Sequence, residues 1–384
     1  MREVVIVEAV RTPMGKRNGS LAGVHPVLLG AVVLKELVNR TGIDPSLIED
    51  VTFGCVSQVG EQAANVARQC VLTAGWPYTV PAMTVDRQCG SSQQAIHIAA
   101  NLIQAGVVDI AVAGGVESMS RVPIGSNMSV YGDPFPPELR AMYELVHQGV
   151  AAEKIAKKWG ISRREADEFG ALSHQRAARA RAEGFFDAEI VPVTVRVDGE
   201  ERMVKEDEGI RPGTTADSIA HLKPSFLEDG ILTAGNSSQI TDGAAAVLMM
   251  TPEKARELGL RPRARIVAQA VVGSDPELML TGPITATPKV LDKAGLKLAD
   301  MDVIEINEAF APVVLAWERE LHPDMAKVNP NGGAIALGHP LGATGARLMT
   351  TMLYHLERTG GRYGLQTMCC GGGLGTATII ERLD

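Results

Sequence analysis

The sequence lacks the features that mark several large functional classes. No basic tract exceeds a few residues, and 37 Lys and Arg stand against 45 Asp and Glu, a formal net charge of −8. A nucleic-acid partner is therefore not expected, because phosphate backbones are bound through clustered positive charge. No apolar run approaches the roughly 20 residues that a membrane-spanning helix needs, so no membrane attachment is expected either. The opening residues, Met1-Arg2-Glu3-Val4-Val5-Ile6-Val7, read as a strand rather than a cleavable leader. The five cysteines (Cys55, Cys70, Cys89, Cys369 and Cys370) form no CxxC pair and are odd in number. That usage fits a reducing cytoplasm better than a disulfide framework. The P-loop pattern GxxxxGK followed by Ser or Thr is missing, as is HExxH, and the eight histidines are scattered. Gly371, Gly373 and Thr376 miss the third glycine of GxGxxG and lie on the wrong side of their strand. Metal and nucleotide-cofactor chemistry is thus disfavoured, and no cofactor is expected.

What is present is an ordinary soluble composition, 45% apolar and 21% charged over 384 residues, with 40 glycines, many in pairs and triplets. Such clustering suggests backbone packed close to ligand or to other backbone. The first half alternates strand and helix signals: Val4–Ala9, a helix over Pro26–Asn39, Val51–Cys55, a helix over Ala63–Ala74, then a buried strand at Asp109–Ala113 ending in Gly114-Gly115. Alternation of this kind implies parallel strands with helical crossovers. From about Met119 to Ile240 prolines and charged helical segments break the rhythm, which suggests an inserted lid or cap. Asp242–Leu248 reads as a resumed core helix capped by Asp242. After Arg263 the first pattern recurs: Met301–Glu305 resembles Ile48–Thr52, and Thr367–Gly373 ends in glycines as Ala111–Gly115 does. The architecture expected is α/β with two related halves, residues 1–118 with 241–262 and residues 263–384, and an inserted loop domain over 119–240.

The chemistry centres on Val85-Asp86-Arg87-Gln88-Cys89-Gly90-Ser91-Ser92, which leads into the apolar run Ala95–Ile103. That pattern is a turn entering a buried helix, with Cys89 in or beside its first turn. Free N–H groups and the helix dipole favour an anion there, so the thiol is expected to have a lowered pKa and a nucleophilic sulfur. The alternative is a buried, inert cysteine.

Three further constellations accompany it. Gly338-His339-Pro340-Leu341-Gly342-Ala343-Thr344-Gly345 sets a histidine in a glycine-rich turn, where it could take a proton from a thiol or simply build the turn. Asn307-Glu308-Ala309-Phe310 follows a strand, where parallel sheets carry their sites; Asn307 is an oxyanion-binding candidate or a helix cap. Cys369-Cys370-Gly371-Gly372-Gly373-Leu374-Gly375 places two thiols beside glycine N–H groups able to bind an oxyanion.

Taken together, Val85–Ser92, Asn307–Phe310, Gly338–Gly345 and Cys369–Gly375 resemble the four catalytic motifs of the thiolase family, in the family's order. The likeness runs from Glu8-Ala9-Val10-Arg11-Thr12-Pro13 to Ile379-Ile380-Glu381 and takes in Gly114–Ser120 and Thr233–Ser238. It implies a five-layered αβαβα fold and a homodimer or a dimer of dimers. The implied activity is acyl-CoA C-acyltransfer: thiolytic cleavage of 3-ketoacyl-CoA or its reverse, Claisen condensation of two acyl-CoAs. Coenzyme A would be a substrate.

By the same resemblance Cys89 is the acylated nucleophile, His339 its activator, and Cys369 the acid/base for the incoming thiol or α-carbon. Asn307, through a water and beside His339, would bind one oxyanion, and the N–H groups of Cys89 and Gly371 the other. His147 and Ser238 would line the pantetheine channel, Arg211 and Ser218 would lie near the nucleotide, and Met279 and Phe310 would also belong to the CoA-binding set. Position 370 is Cys where the family usually has an aliphatic residue. Ser129–Glu144 is nearest to members acting on bulky ring-derived acyl-CoAs, whereas His147 is a short-chain feature.

Cleaving a 3-ketoacyl-CoA expels an enolate and requires two tetrahedral oxyanions, so two oxyanion holes and two thiols suit a two-stage cycle. A decarboxylating ketoacyl synthase would use two histidines, where this chain has Asn307 and Cys369. A silent lipid-binding relative would not need the Cys–Asn–His–Cys set, and a thiol-redox protein would leave Asn307 and His339 unexplained.

Overall fold

The computed structural model describes residues 2–128, 131–197 and 199–384. Its core is a ten-stranded sheet with the order β10-β11-β12-β9-β1-β8-β5-β3-β4. In chain order these are β1 (Val5–Arg11), the two-residue β2 (Gly15–Lys16) beside β8, β3 (Asp50–Gly54), β4 (Ala82–Val85), β5 (Ile110–Ser118), β8 (Thr241–Met250), β9 (Ala264–Gly273), β10 (Val303–Ile306), β11 (Tyr363–Cys370) and β12 (Leu374–Arg382). A separate hairpin, β6 (Val193–Val197) with β7 (Glu200–Val204), forms a second sheet between β5 and β8 in the chain.

Each half repeats one wiring. In the first, β3 pairs parallel with β4 and β5, β5 pairs antiparallel with β8, and β8 antiparallel with β1. In the second, β10 pairs parallel with β11 and bridges parallel to Val328, β11 pairs antiparallel with β12, and β12 antiparallel with β9. The halves join where Val5 and Ile6 of β1 meet Arg265 and Ala264 of β9.

Two expectations are corrected here. The sheet is mixed rather than parallel, and Asp242–Leu248 is not a helix but part of β8. The reason is visible in the packing. Ala244, Ala246, Leu248 and Met250 face one core while Ala245, Val247 and Met249 face another. With both faces buried, polar alternation is absent, and an apolar run of this length fits a helix equally well.

Helices cover both faces of each half. Pro26–Thr41 and Val66–Thr73 pack on the outer face of the first, while Gly282–Ala294 and Ala311–Leu321 cover the second. Ser91–Ala105 and Thr344–Thr359 lie against each other between the halves, completing five layers. Local signals explain the ends. Pro26 opens the first helix and Gly42, at φ 66°, closes it. The charged segment of the insertion forms Gln148–Lys158 and Arg163–Ala182, the second started by a Ser162–Glu165 capping box.

Candidate active site

Side chains from both halves converge where the strand ends meet the two central helices. Cys89 precedes the Ser91–Ala105 helix by two residues, with Gly90 as the cap. Its turn is clasped by side chains. Asp86 Oδ1 accepts the Gln88 N–H at 2.7 Å, Ser91 Oγ accepts the Arg87 N–H at 2.8 Å, and that hydroxyl donates to Gln88 O at 2.6 Å. Gln88 takes a left-handed φ of 51° within this turn. Glycine is required at position 90, because a Cβ there would lie 2.6 Å from Cys370 Sγ.

On the facing side, the β11–β12 hairpin turns at Gly372 and Gly373, both left-handed at φ 78° and 79°. The turn brings the Gly371 backbone beside Cys89, and the N–H groups of Gly371 and Cys89 both favour the anionic form of its sulfur. These are the two N–H groups expected to form an oxyanion hole beside Cys89. Cys369 is fully buried on the face of β11 that packs with Ala309 and Phe310. Cys370 points the other way, toward Gly90 and Thr376.

The second pair lies at the end of β10. Asn307 is fully buried, and its Nδ2 sits 3.3 Å from His339 Nε2. His339 Nδ1 is 2.6 Å from the Thr344 hydroxyl, which donates its only proton to Pro340 O at 2.9 Å. Thr344 must then accept from Nδ1–H, which leaves Nε2 as the free lone pair beside Asn307. Asn307 Oδ1 is buried with no hydrogen-bond partner among the described residues. The His339 N–H donates to Thr241 Oγ1 at 2.6 Å, so the turn is also anchored to β8.

Electrostatics corrects one expectation. Burial pushes the Cys89 thiol up to about 11, and the charges of Glu117 and Asp86 add to the rise, while the N–H groups of Gly371 and Cys89 offset part of it. The residue is only 4% exposed, so loss of solvation outweighs the helix terminus that was expected to lower its pKa. Burial likewise raises the Cys369 thiol, with Cys89 and Cys370 contributing. The same burial, helped by the cation of Arg347, pulls His339 down to about 3. Both thiols are therefore protonated and the imidazole neutral near pH 7, so nucleophilicity must come from proton transfer within the site.

An apolar wall adjoins the thiols. His147 caps the Gln148–Lys158 helix, with its Nδ1 accepting the Gly149 N–H at 3.1 Å. Its ring stacks on Phe226 at 5.4 Å, and Phe226 meets Phe310 edge-on at 5.6 Å. Met279, at a left-handed φ of 56°, joins the cluster that holds Phe226, Phe310 and Cys369. Ser238 lies next to this wall, its N–H bonded to Ala309 O at 3.0 Å. His147, Met279, Phe310 and Ser238 are thus gathered together. Arg211 and Ser218 are elsewhere and exposed, Arg211 on a loop and Ser218 on the short helix Ala216–Ile219 that follows it. The Arg211 N–H donates to His174 Nδ1 at 3.2 Å, and the Ser218 hydroxyl donates to Thr215 O at 2.8 Å. The stretch 129–144 begins with two residues outside the described ones.

Sequence reasoning missed Phe226, which lies in a loop with no motif of its own, and the part played by Thr344. The latter had a usable signal, a hydroxyl five residues after the histidine in the same glycine-rich turn. Among the described residues no cluster of three or more His, Cys, Asp or Glu could hold a metal ion.

Comparison with known proteins gives a consistent result. The thiolase N-terminal domain family matches residues 4–253 and the thiolase C-terminal domain family residues 260–382. The chain is 51% identical over 392 residues to a steroid 3-ketoacyl-CoA thiolase of Mycobacterium tuberculosis, spanning 100% of this chain and 95% of that one. It is 47% identical over 391 residues to a 3-ketoacyl-CoA thiolase of Bacillus subtilis, covering 99% and 100% of the two. The crystal structure of the acetyl-CoA acetyltransferase of Bacillus anthracis superposes with a TM-score of 0.93 at 43% identity, covering 100% of this chain and 99% of that one.

Proposed function

Because the chain belongs to the thiolase family, we propose that it is an acyl-CoA C-acyltransferase that cleaves 3-ketoacyl-CoA with coenzyme A through an acyl-Cys89 intermediate. The observation that carries this reading is a Cys89 thiolate favoured by the N–H groups of Cys89 and Gly371, with a neutral His339–Asn307 pair from the same half as Gly371.

Residue by residue the cycle runs as follows. His339 Nε2 takes the Cys89 proton, and the thiolate attacks the 3-keto carbon. The N–H groups of Cys89 and Gly371 hold the resulting oxyanion. Breaking the carbon–carbon bond leaves the acyl group on Cys89 and expels an acetyl-CoA enolate, whose oxygen is met by Asn307 and His339. Cys369 delivers a proton to the enolate carbon, and acetyl-CoA leaves. A second CoA then gives its thiol proton to the Cys369 thiolate and attacks the acyl-cysteine, expelling the Cys89 thiolate, which takes its proton back from His339. The reverse sequence is Claisen condensation. Every step uses proton transfer and hydrogen bonds, so the cycle calls for no metal or prosthetic group, and coenzyme A is a substrate.

His147, Phe226, Met279 and Phe310 form the wall along which pantetheine and acyl group would lie, while Arg211 and Ser218 would meet the nucleotide end. The segment 119–240 is read as the CoA-holding loop domain between halves 1–118 with 241–262 and 263–384. The edge strand β4 is half-exposed and, among the described residues, has no strand on its outer side, which suits a homodimer or a dimer of dimers joined along that edge. No described helix is long and apolar enough to cross a membrane; a cytoplasmic site of action is part of the same proposal. The test is CoA-dependent loss of the Mg²⁺–acetoacetyl-CoA absorbance, followed by a ladder of longer and ring-bearing 3-ketoacyl-CoAs. Failure on every member of the ladder would overturn the reading.

A further inference from the structure

We propose that Glu117 is a positioning residue for the reaction, its buried carboxylate tying the turn that carries His339 to the walls around Cys89. This rests on the reading that Cys89 and His339 are nucleophile and base.

Glu117 lies near the end of β5 and is fully buried. Its Oε2 accepts the N–H of Val56 and the N–H of Gly342, each at 2.9 Å. Its Oε1 accepts the Ser57 N–H at 3.0 Å and the Gln62 amide at 2.8 Å, with the Cys55 thiol 3.8 Å away. No salt bridge to this carboxylate occurs among the described residues. A buried carboxylate without a cation is costly, and it persists only where donors surround it. Every neighbour here is a donor, so only an acceptor-only group satisfies the site; an amide would turn its own N–H₂ toward other N–H groups.

The donors come from three places that bear on catalysis. Val56 follows β3, and its side chain packs with Cys89, Met119 and Leu341 in one apolar cluster. Met119 is two residues beyond Glu117 itself. Gly342 sits midway between His339 and Thr344, the two residues joined by the 2.6 Å bond that fixes the imidazole. The fit of this turn leaves no slack. A Cβ on Gly342 would lie 2.6 Å from Cys55 Cα and 2.7 Å from Gly54 O, and a Cβ on Gly115 would lie 2.0 Å from Gly342 O. The turn is thus seated in a slot between β3 and β5, and the bond from Gly342 to Glu117 is the charge-assisted contact that holds it there. One carboxylate sets both the base and the residues that line the nucleophile, although they come from opposite halves of the chain.

The test compares wild type with Glu117→Gln and Glu117→Asp, after thermal unfolding has shown which variants are folded at the assay temperature. Single-turnover acylation of Cys89 by acetoacetyl-CoA is followed by mass, and the KM for CoA is measured alongside. Misplacement of a reacting group by about 1 Å can cost on the order of 100-fold. Glu117→Gln is therefore expected to slow acylation by about that factor with the CoA KM within twofold of wild type. Glu117→Asp, which keeps the charge but is a methylene too short to hold Val56, Ser57 and Gly342 together, is expected to be slowed at least tenfold with the same KM. If Glu117→Gln does not fold, Glu117→Asp decides alone. Acylation within threefold of wild type in a folded variant, or a loss confined to KM, overturns the proposal. Wild type that is never acylated at Cys89 would instead overturn the family-level reading, so the two failures are distinct.

Discussion

Asn307 Nδ2 and His339 Nε2 lie 3.3 Å apart in a buried corner where the carboxamide donates and the imidazole accepts. Asn307 Nδ2 keeps a second N–H for an enolate oxygen or its water, and His339 Nε2 becomes a second donor once it has taken the Cys89 proton. Asn307→Ala should lower kcat by about 100- to 1000-fold, the loss seen when one oxyanion donor is removed, with little change in KM. Steady-state kinetics in both directions check this. A variant that loses only KM would make Asn307 a binding residue.

The pH profile follows from burial. His339 gains a proton only as pH falls toward about 3, and the Cys89 thiol loses its own only as pH rises toward about 11. Between those limits base and nucleophile keep their states, so the single-turnover rate of Cys89 acylation should be flat from about pH 5.5 to 8.5. An acid limb centred near the ordinary histidine value of about 6.5 would mean the imidazole is solvated and the closed geometry is wrong.

The adjacent thiols should separate cleanly, because they point to opposite faces of β11. Cys369→Ser should lose cleavage and condensation yet still accept an acyl group on Cys89 slowly. Cys370→Val should keep most of its activity, since Cys370 packs against Gly90 and Thr376 rather than against Phe310. Activity assays and intact-protein mass on the two variants decide it, and reversed phenotypes would exchange the roles.

Much of this site was legible in the sequence because its residues sit in motifs shaped by backbone constraints. Gly90, Gly342 and Gly372 each occupy positions where a side chain would collide or a left-handed turn is needed, and glycine clusters mark such places. The repeat of β3-β5 and β10-β11 was also legible, since Met301–Glu305 resembles Ile48–Thr52 and both β5 and β11 carry a glycine cluster in or just after the strand. What was not legible depends on packing between distant segments. β8 looked like a helix because its two faces meet two different cores. The direction of the Cys89 pKa was misread because a helix terminus is a local feature, whereas burial is set by Val56, Met119 and Leu341 folding over the thiol. Phe226 reaches His147 and Phe310 from a loop whose path the sequence does not reveal.

Arg211, on the exposed loop, and Ser238, beside the apolar wall, give a prediction of a different kind. Arg211→Ala and Ser238→Ala should raise the KM for CoA by about fivefold with kcat nearly unchanged, as expected when a single uniform binding contact is lost. Initial-rate measurements with CoA as the varied substrate test this. Loss of kcat at constant KM in both variants would make the 119–240 segment part of the chemistry rather than a holder of the CoA tail.

The central claim is that Cys89 carries the acyl group, and peptide mass mapping after incubation with an acyl-CoA addresses it most directly. The acyl mass should appear on the peptide containing Cys89, and it should vanish in Cys89→Ala while that variant unfolds at the same temperature as wild type. An acyl group on the peptide containing Cys55 or Cys70, or one that survives in Cys89→Ala, would contradict the account.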